Sequence, residues 1–277
     1  MAIELTTVFT KNVDEMFTAE SKKAVLTNND FDWTGAHSIK VWKITTANMN
    51  NYDRAGSGNT LSRYGAIQNL DATTEELTLK KDRSFIFAID KLDSDETAGT
   101  LQAATALARQ QREVVIPEVD AYTYGVMCSG AGTKATAKAL TAADIYKDII
   151  EANAVLDNNN VPETNRYLVV TPDTYLLMKQ NNLIIMQTET GSEARSNGII
   201  ATLDGMNVVK VPANRLPAKF GFMLCHPSAC VAPTKLEEFT VHESTPLMSG
   251  SIVTGRVCYD AFVLDNKKMA IYYQPTT

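Results

Sequence analysis

Cysteine and histidine residues in the second half of the chain are the first candidates for chemistry. Cys225, His226 and Cys230 lie close together in the sequence, and His242 could supply a fourth ligand. Thiolate and imidazole groups are the usual ligands of zinc, but zinc sites normally show paired, closely spaced ligands. Here Pro227 follows the histidine directly, and no CxxC pair is present. Buried structural thiols are therefore the favoured interpretation, and we predict no metal site.

Carboxylates cluster once, just before a helical pattern. The cluster comprises Asp90, Asp93, Asp95 and Glu96. Acidic side chains at this position complement the positive end of a helix, so helix capping by Ser94 and Asp95 is favoured over acid–base chemistry.

Other catalytic signatures are also missing from the sequence. Gly56-Ser57-Gly58 lacks the Lys-Ser/Thr of a phosphate-binding loop and is interpreted as a flexible tip. The three histidines are His37, His226 and His242, and no serine or cysteine lies in a nucleophile motif. We therefore predict that the protein is not an enzyme and binds no cofactor.

Basic residues cluster in and beside one predicted hairpin. They are Lys40, Lys43, Arg54, Arg63, Lys80, Lys81 and Arg83. We expect the group at 80–83 to lie on the returning strand, opposite Lys40 and Lys43. The cluster is either a solvated strand face or an arm that pairs with acidic surface on a neighbouring copy, and the sequence leaves both open. The candidate inter-subunit contacts are Lys80, Lys81, Arg83, Arg54 and Arg63.

Composition excludes some classes of protein. The net charge of −6 argues against a dedicated nucleic-acid binder, which usually has a basic patch or stripe. No run approaches the roughly 18 apolar residues of a membrane span, and the N-terminus lacks the pattern of a signal peptide. We expect synthesis and folding in a cytoplasm, with four free thiols.

The spacing of apolar residues changes twice in the first third of the chain. Residues 1–37 carry an amphipathic pattern, which is either an arm that docks elsewhere or a helix that packs on its own domain. Alternation then predicts a strand at 39–44, followed by a polar excursion over 45–74 that is rich in glycine and asparagine. A strand pattern resumes at Leu77 and continues to Ile89. The pattern predicts two strands that bracket the excursion, or one very long hairpin.

Helices and strands then alternate. We predict a long helix over 95–127, kinked or broken at Pro117, and a second helix that Thr141 caps and that ends near Leu156. A short buried strand at 167–170 precedes a helix with Pro172 in its first turn. Further strands are expected at 206–211, 220–225, 236–242, 255–264 and 269–273, with a helical turn at Pro227 and a polar loop at 187–198.

Three segments carry a resemblance to a known family. They are Val161-Pro162-Glu163-Thr164-Asn165-Arg166-Tyr167-Leu168-Val169-Val170-Thr171-Pro172, Leu224-Cys225-His226-Pro227-Ser228-Ala229 and Asp260-Ala261-Phe262-Val263-Leu264. With the order of the elements, they resemble the major capsid protein of tailed bacteriophages, which has the Hong Kong 97 type fold. The implied fold is α+β, with an N-terminal arm, an extended hairpin loop, a long spine helix, a peripheral sheet and a central α/β axial domain.

The resemblance implies boundaries for these parts. The arm would be 1–37, the extended loop 38–89, the spine helix with part of the peripheral domain 90–138, the axial domain 139–232, and the returning peripheral strands 233–277. In that family the arm and the extended loop reach over neighbouring subunits.

The implied function is structural. The protein would assemble with copies of itself, as hexamers and pentamers, into the icosahedral head around double-stranded DNA. Assembly would take place in the host bacterial cytoplasm, with non-specific proximity to DNA and no membrane partner. The chain has no room for a long scaffolding segment before its first strand, so a separate scaffolding protein and a portal are the expected partners. No lysine lies between Lys43 and Lys80, which argues against a covalent lysine cross-link at the loop tip.

Two other functions stay open. An encapsulin, a bacterial nanocompartment shell of the same fold, is the main alternative. A small-molecule enzyme built on the central α/β region is less favoured because no active-site pattern is present.

Overall fold

A computed structural model describes residues 20–28, 31, 38–55, 62–96, 102–181, 199–243 and 248–277. The chain divides into two compact units. The hairpin unit is Trp33–Leu79, and the body combines Met1–Asp32 with Lys80–Thr277. The predicted polar loop at 187–198 and most of the predicted arm lie outside the described residues.

The hairpin unit is an antiparallel pair of strands. Strand β1, Ser38–Ile44, pairs with strand β2, Ala72–Thr78, in a register that runs from Ser38 opposite Thr78 to Ile44 opposite Ala72. Backbone contacts continue past the paired strands, because the Thr45 N–H donates to the Asp71 carbonyl at 3.0 Å. The predicted long hairpin with a polar excursion is therefore confirmed for the described residues.

The predicted strand from Leu77 to Ile89 is two strands in two different sheets. The chain leaves β2 at Thr78 and begins strand β3, Lys81–Asp90, in the body. Strand β3 pairs with strand β11, Gly250–Tyr259, and not with β1. The expectation that residues 80–83 lie opposite Lys40 and Lys43 is thus wrong. The polar residues 80–84 interrupt the apolar alternation at this point, but a polar stretch also occurs within single solvated strands, so the pattern predicts one strand.

The described residues of the body form two larger sheets and one short pair of strands. The three-stranded sheet has the order β10 (Thr234–His242), β11 (Gly250–Tyr259), β3. The six-stranded sheet has the order β4 (Thr133–Lys134), β13 (Ile271–Pro275), β8 (Phe220–Cys225), β5 (Tyr167–Val170), β7 (Met206–Lys210), β6 (Ile199–Leu203). Strands β9 (Cys230–Val231) and β12 (Phe262–Val263) form the short pair.

The helices of the body are α1 (Lys23–Leu26), α2 (Lys91–Glu96), α3 (Ala103–Gln110), α4 (Ile116–Gly130), α5 (Ile145–Asn158) and α6 (Pro172–Gln180). Turns of 3₁₀ helix occupy Ala213–Arg215, Pro227–Ala229 and Lys268–Ala270. Within the described ranges, none of the helices is long and apolar enough to cross a membrane.

The long helix passes through its proline. A π-helical turn, Gln111–Val115, joins α3 to α4 without an interruption, and Pro117 is the second residue of α4. A proline lacks the N–H that the preceding turn would use and clashes with that turn. The change to π-helical spacing lies in the turn before Pro117 and accommodates the proline, so the helix continues to Gly130. The predicted end was residue 127.

Helix capping near Asp90 differs from the prediction. Helix α2 begins at Lys91, so Ser94 and Asp95 lie inside it. The Asp90 carboxylate accepts the Leu92 N–H at 2.9 Å, which is the contact expected of an N-cap. The acidic cluster thus contributes capping, as predicted, through a different member.

Two apolar clusters enclose the six-stranded sheet. Side chains alternate along each strand, so Val169 and Met223 join a cluster with Tyr124 and Met127 of α4. Their neighbours on the strands pack instead against α5 and α6; they include Leu168, Val170, Phe222 and Leu224. The sheet is therefore the middle layer of an α/β sandwich, as the pattern of short buried strands predicts.

The ends of these elements agree with the predicted caps. The Thr141 hydroxyl accepts the Asp144 N–H at 3.2 Å before α5, and Asn160 ends that helix with a positive φ of 56°. Thr171 accepts the Thr174 N–H at 3.0 Å, with Pro172 as the first residue of α6. The predicted strand at 255–264 is interrupted at Asp260 and Ala261, where β11 ends and β12 begins.

Candidate assembly surfaces

The hairpin unit exposes large apolar side chains. Trp42 is 67% exposed and Ile44 is 64% exposed. They lie two residues apart on β1 and therefore share one face of the hairpin. Beyond the paired strands the unit also exposes Met49, Tyr52, Tyr64, Ile67 and Leu70. Folded chains rarely leave apolar groups contiguous on a free surface. We name the face formed by Trp42 and Ile44 the Trp42 face.

The basic residues of the hairpin strands have acidic neighbours in the same unit. Lys43 forms an ion pair with Glu75 at 3.1 Å. Lys40 lies directly opposite Glu76 in the strand register. Arg54 and Arg63, in the excursion, are exposed. The positive charge of β1 is therefore largely balanced within the hairpin.

The second basic group lies in the body. The Arg83 Nε donates to Glu118 of α4 at 2.7 Å, and the pair is exposed. The Lys81 Nζ lies 4.9 Å from the ring centre of Tyr122, a cation–π contact. The Lys80 side chain is exposed. The structure thus divides the predicted candidates between two units instead of gathering them on one hairpin.

The outer face of the three-stranded sheet is partly charged and partly apolar. Arg256 donates two hydrogen bonds to Asp82, at 3.0 and 2.6 Å. These bonds lower the pKa of the Asp82 carboxyl. Ile86 lies four residues after Asp82 on β3, on the opposite face from Phe85, and is 70% exposed. Phe85 and Phe239 instead stack over Gly255 with ring centres 6.0 Å apart.

A buried ion pair joins three segments of the body. Arg215 donates to Asp120 at 2.8 Å, and both side chains are buried. The second oxygen of Asp120 accepts the Ser21 hydroxyl at 2.6 Å. The N-terminal segment continues into the core, where Leu26 is fully buried and the Asn28 N–H donates to the Cys230 carbonyl at 2.9 Å. Residues 20–28 thus pack on their own chain, which agrees with the second of the two predicted alternatives.

The segment that carries the resemblance is organised by Arg166, which is 1% exposed. Its guanidinium donates to Asn153 at 2.6 Å and pairs with Asp157 at 2.6 Å, both on α5. It also donates to the carbonyls of Val161 and Pro162. The arginine therefore fixes the loop between α5 and β5, which is a structural role.

The cysteines have the surroundings of structural thiols. Cys128, Cys225 and Cys230 are buried, and burial raises the pKa of Cys128 and of Cys230 to about 12. His226 lies 2.7 Å from the Ser228 hydroxyl through Nδ1. Among the residues that the structure describes, no group of three or more His, Cys, Asp and Glu side chains could hold a metal ion.

Sequence reasoning missed the buried polar residues Asp120, Arg215 and Asp260. Charged residues are usually exposed, and nothing in a sequence shows which of them will be buried with a partner. The one signal that could have indicated a special role for Asp260 is its position at the start of the segment Asp260-Ala261-Phe262-Val263-Leu264, which resembles capsid proteins.

Comparisons with known proteins give one family. The family described as phage capsid protein matches residues 72–268. A comparison of the sequence with curated proteins gives no match.

Solved structures show the same fold. A structure from Mycobacterium phage Che8 matches with a TM-score of 0.76 at 18% identity, over 98% of this chain and 96% of that one. The capsid structure of the cyanophage P-SCSP1u also matches at 0.76, with 15% identity, over 98% and 93%. The mature capsid of bacteriophage PhiM1 matches at 0.75, with 12% identity, over 99% and 92%. The predicted Hong Kong 97 type α+β fold is confirmed. The chain therefore belongs to the phage capsid protein family and is a structural major capsid protein.

Proposed function

We propose that copies of this chain assemble, as hexamers and pentamers, into a closed icosahedral shell around the double-stranded DNA of a tailed phage. The Trp42 face carries this proposal, because burying it against another copy would remove the exposed apolar side chains of Trp42 and Ile44 from water. Burial of apolar surface stabilises association by about 25 cal/mol per Å² before the costs of ordering are subtracted.

The proposed parts follow the predicted boundaries. The arm is 1–37, the extended loop 38–89, the spine helix region 90–138, the axial domain 139–232 and the returning peripheral strands 233–277. We propose that the extended loop lies on a neighbouring copy. The candidate contacts of this loop and its base are Lys80, Lys81, Arg83, Arg54 and Arg63. Arg54 and Arg63 are the strongest of these, because their side chains are exposed on the hairpin unit.

Further partners belong to the same proposal. A separate scaffolding protein and a portal would take part in assembly in the host bacterial cytoplasm. The finished protein would reside in the virion, close to packaged DNA without reading its sequence, and would act without enzymatic activity. The family match favours this function over an encapsulin shell. Portal and terminase genes beside the coding gene would support it, whereas a cargo enzyme gene would favour the encapsulin.

The experiment is sedimentation velocity combined with negative-stain electron microscopy of the full chain, expressed alone and with a candidate scaffolding protein. We expect closed shells, or rings and sheets, in at least one condition. A compact monomer in every condition would refute the proposal.

A further inference from the structure

Asp260 is a buried carboxylate on which three hydrogen-bond donors converge. It lies between β11 and β12 and is 3% exposed. Its Oδ2 accepts the backbone N–H of Lys80 at 2.8 Å. Its Oδ1 accepts the Tyr122 hydroxyl at 2.7 Å and the Ala261 N–H at 2.8 Å. A buried carboxyl group is unfavourable without hydrogen-bond partners, and these three donors supply them.

The donor on Lys80 lies at a structural boundary. The hairpin unit ends at Leu79, and Lys80 is the first residue of the body that follows it. Lys80 also lies between β2 and β3, outside both strands. Its N–H therefore has a carboxylate as its partner where a strand residue would have a carbonyl.

The donor on Tyr122 connects the same carboxylate to the long helix. Tyr122 belongs to α4. Its ring lies edge-on to the ring of Tyr259, with ring centres 5.7 Å apart, and its ring centre lies 4.9 Å from the Lys81 Nζ. Burial, followed by the bond to Asp260, raises the pKa of the Tyr122 phenol. The hydroxyl therefore stays protonated and able to donate.

From these contacts we propose that Asp260 is a positioning residue for assembly, which ties the first body residue after the hairpin to helix α4. Lys80, β3 and α4 then keep their mutual geometry when copies assemble. The proposal rests on the proposed function of the hairpin as a contact with a neighbouring copy. The proposal also assigns a role to the segment Asp260-Ala261-Phe262-Val263-Leu264, which is part of the resemblance to capsid proteins.

An asparagine cannot replace this carboxylate fully. Both oxygens of Asp260 accept, whereas an amide carries one acceptor and one donor. In Asp260→Asn the amide NH₂ would face either the Lys80 N–H or the Tyr122 hydroxyl and Ala261 N–H. One or two buried donors would then lose their acceptor, and at least one of them is a backbone N–H.

The test measures the protection of the backbone N–H groups bound by Asp260. It uses hydrogen exchange of the unassembled full chain, followed by mass spectrometry of peptides. We expect Asp260→Asn to speed exchange at least tenfold at the Lys80 amide or the Ala261 amide, whichever loses its acceptor, with β8 and β5 unchanged. Tyr259→Phe is the matched control: it removes a phenol that donates to Glu118 at 3.3 Å instead of to Asp260. The control should leave exchange at Lys80 within twofold of the parent.

Assembly is measured separately, as the fraction of protein in particles. We expect Asp260→Asn and Tyr122→Phe to lower it at least threefold, and Tyr259→Phe to leave it unchanged. Exchange at both Lys80 and Ala261 within twofold of the parent in Asp260→Asn, or equal acceleration throughout the body, would overturn the proposal. If Asp260→Asn does not fold, Tyr122→Phe decides, because it keeps the carboxylate and removes only the link to α4; normal assembly of that variant would overturn the proposal.

The two proposals fail in different ways. A parent protein that forms no particles contradicts the proposed function, and the exchange result at Lys80 then stands by itself. A parent that assembles, together with a Tyr122→Phe variant that assembles equally well, contradicts only the role of Asp260.

Discussion

Asp120 shows at the scale of single residues how a charge can serve the fold of a capsid protein. Its two oxygens bind Arg215 and Ser21, so one buried carboxylate holds α4, a 3₁₀ turn and the N-terminal segment together. Removing one member of a buried pair leaves the other charge uncompensated in a medium that solvates it poorly.

We therefore predict that Asp120→Asn lowers the free energy of unfolding by about 3–5 kcal/mol. Urea unfolding of the subunit, followed by circular dichroism, measures the change. Glu151→Gln is the control, since Glu151 pairs with Lys147 at 3.7 Å on an exposed face of α5 and should cost only about 0.3–0.5 kcal/mol. Equal effects of the two substitutions would contradict the buried role of Asp120.

His226 gives the subunit a predicted sensitivity to acid. Burial lowers the pKa of this imidazole, and the positive charges of Arg166 and Lys267 lower it further. A hydrogen bond to the backbone of Thr164 acts in the opposite direction, but the net effect is a lowered pKa. The neutral ring accepts the Ser228 N–H at Nδ1. A histidine whose pKa is depressed by folding stabilises the protein fully above its unfolded pKa of about 6.5. That stability is lost as the pH falls through the lower, folded value.

We expect the melting temperature to fall as the pH drops below about 6.5, and His226→Gln to fall less steeply over the same interval. Calorimetry from pH 7.5 to 4.5 measures the parent and the variant. A His226→Gln profile parallel to the parent's would show that this ring does not control the acid sensitivity.

Elements were predictable from the sequence where one periodicity determines them. Strand β5, strand β8 and the first turn of α6 were located correctly, because a short apolar run or a proline defines each of them. The boundary between β2 and β3 was missed, since the polar residues 80–84 that interrupt the alternation there would also fit the solvated part of a single strand. The cap of α2 was placed too late for a related reason, because several neighbouring residues are all good caps and only the backbone geometry selects Asp90.

At this scale the Trp42 face makes a direct prediction. Trp42→Ser should lower the fraction of protein in particles strongly while leaving the subunit's melting temperature nearly unchanged, because the side chain is mostly exposed before assembly. Trp42→Phe keeps an aromatic surface and should restore much of the yield. Particle yield and differential scanning fluorimetry test both variants. A serine variant that assembles like the parent would show that this face is not an interface.

The charges of the hairpin make a second prediction. Replacing Arg54 and Arg63 together by glutamine should lower assembly and reduce its dependence on salt, because exposed charges are screened by ions. Replacing Lys80, Lys81 and Arg83 should have a smaller effect on assembly, since Arg83 and Lys81 already have contacts within the body. Light scattering from low to high salt compares the two variants. Assembly unaffected by either variant at every salt concentration would reduce the basic residues to a solvated face.

For the whole molecule, the sequence predicted the fold class through resemblance and not through any site. The α+β architecture and the hairpin were accessible from periodicity, and the order of the segments carried the capsid assignment. What the sequence could not supply was the network of buried contacts, because Asp120, Arg215 and Asp260 find their partners across 95 to 180 residues of chain. Such long-range pairs are set by the packed structure and have no local pattern.

The most direct test of the central claim is a cryo-electron microscopy map of particles assembled from the full chain. The structure predicts that the hairpin of each copy lies on a neighbouring copy and that Trp42 and Ile44 become buried there. Ordered particles in which the Trp42 face remains open to solvent would contradict this account.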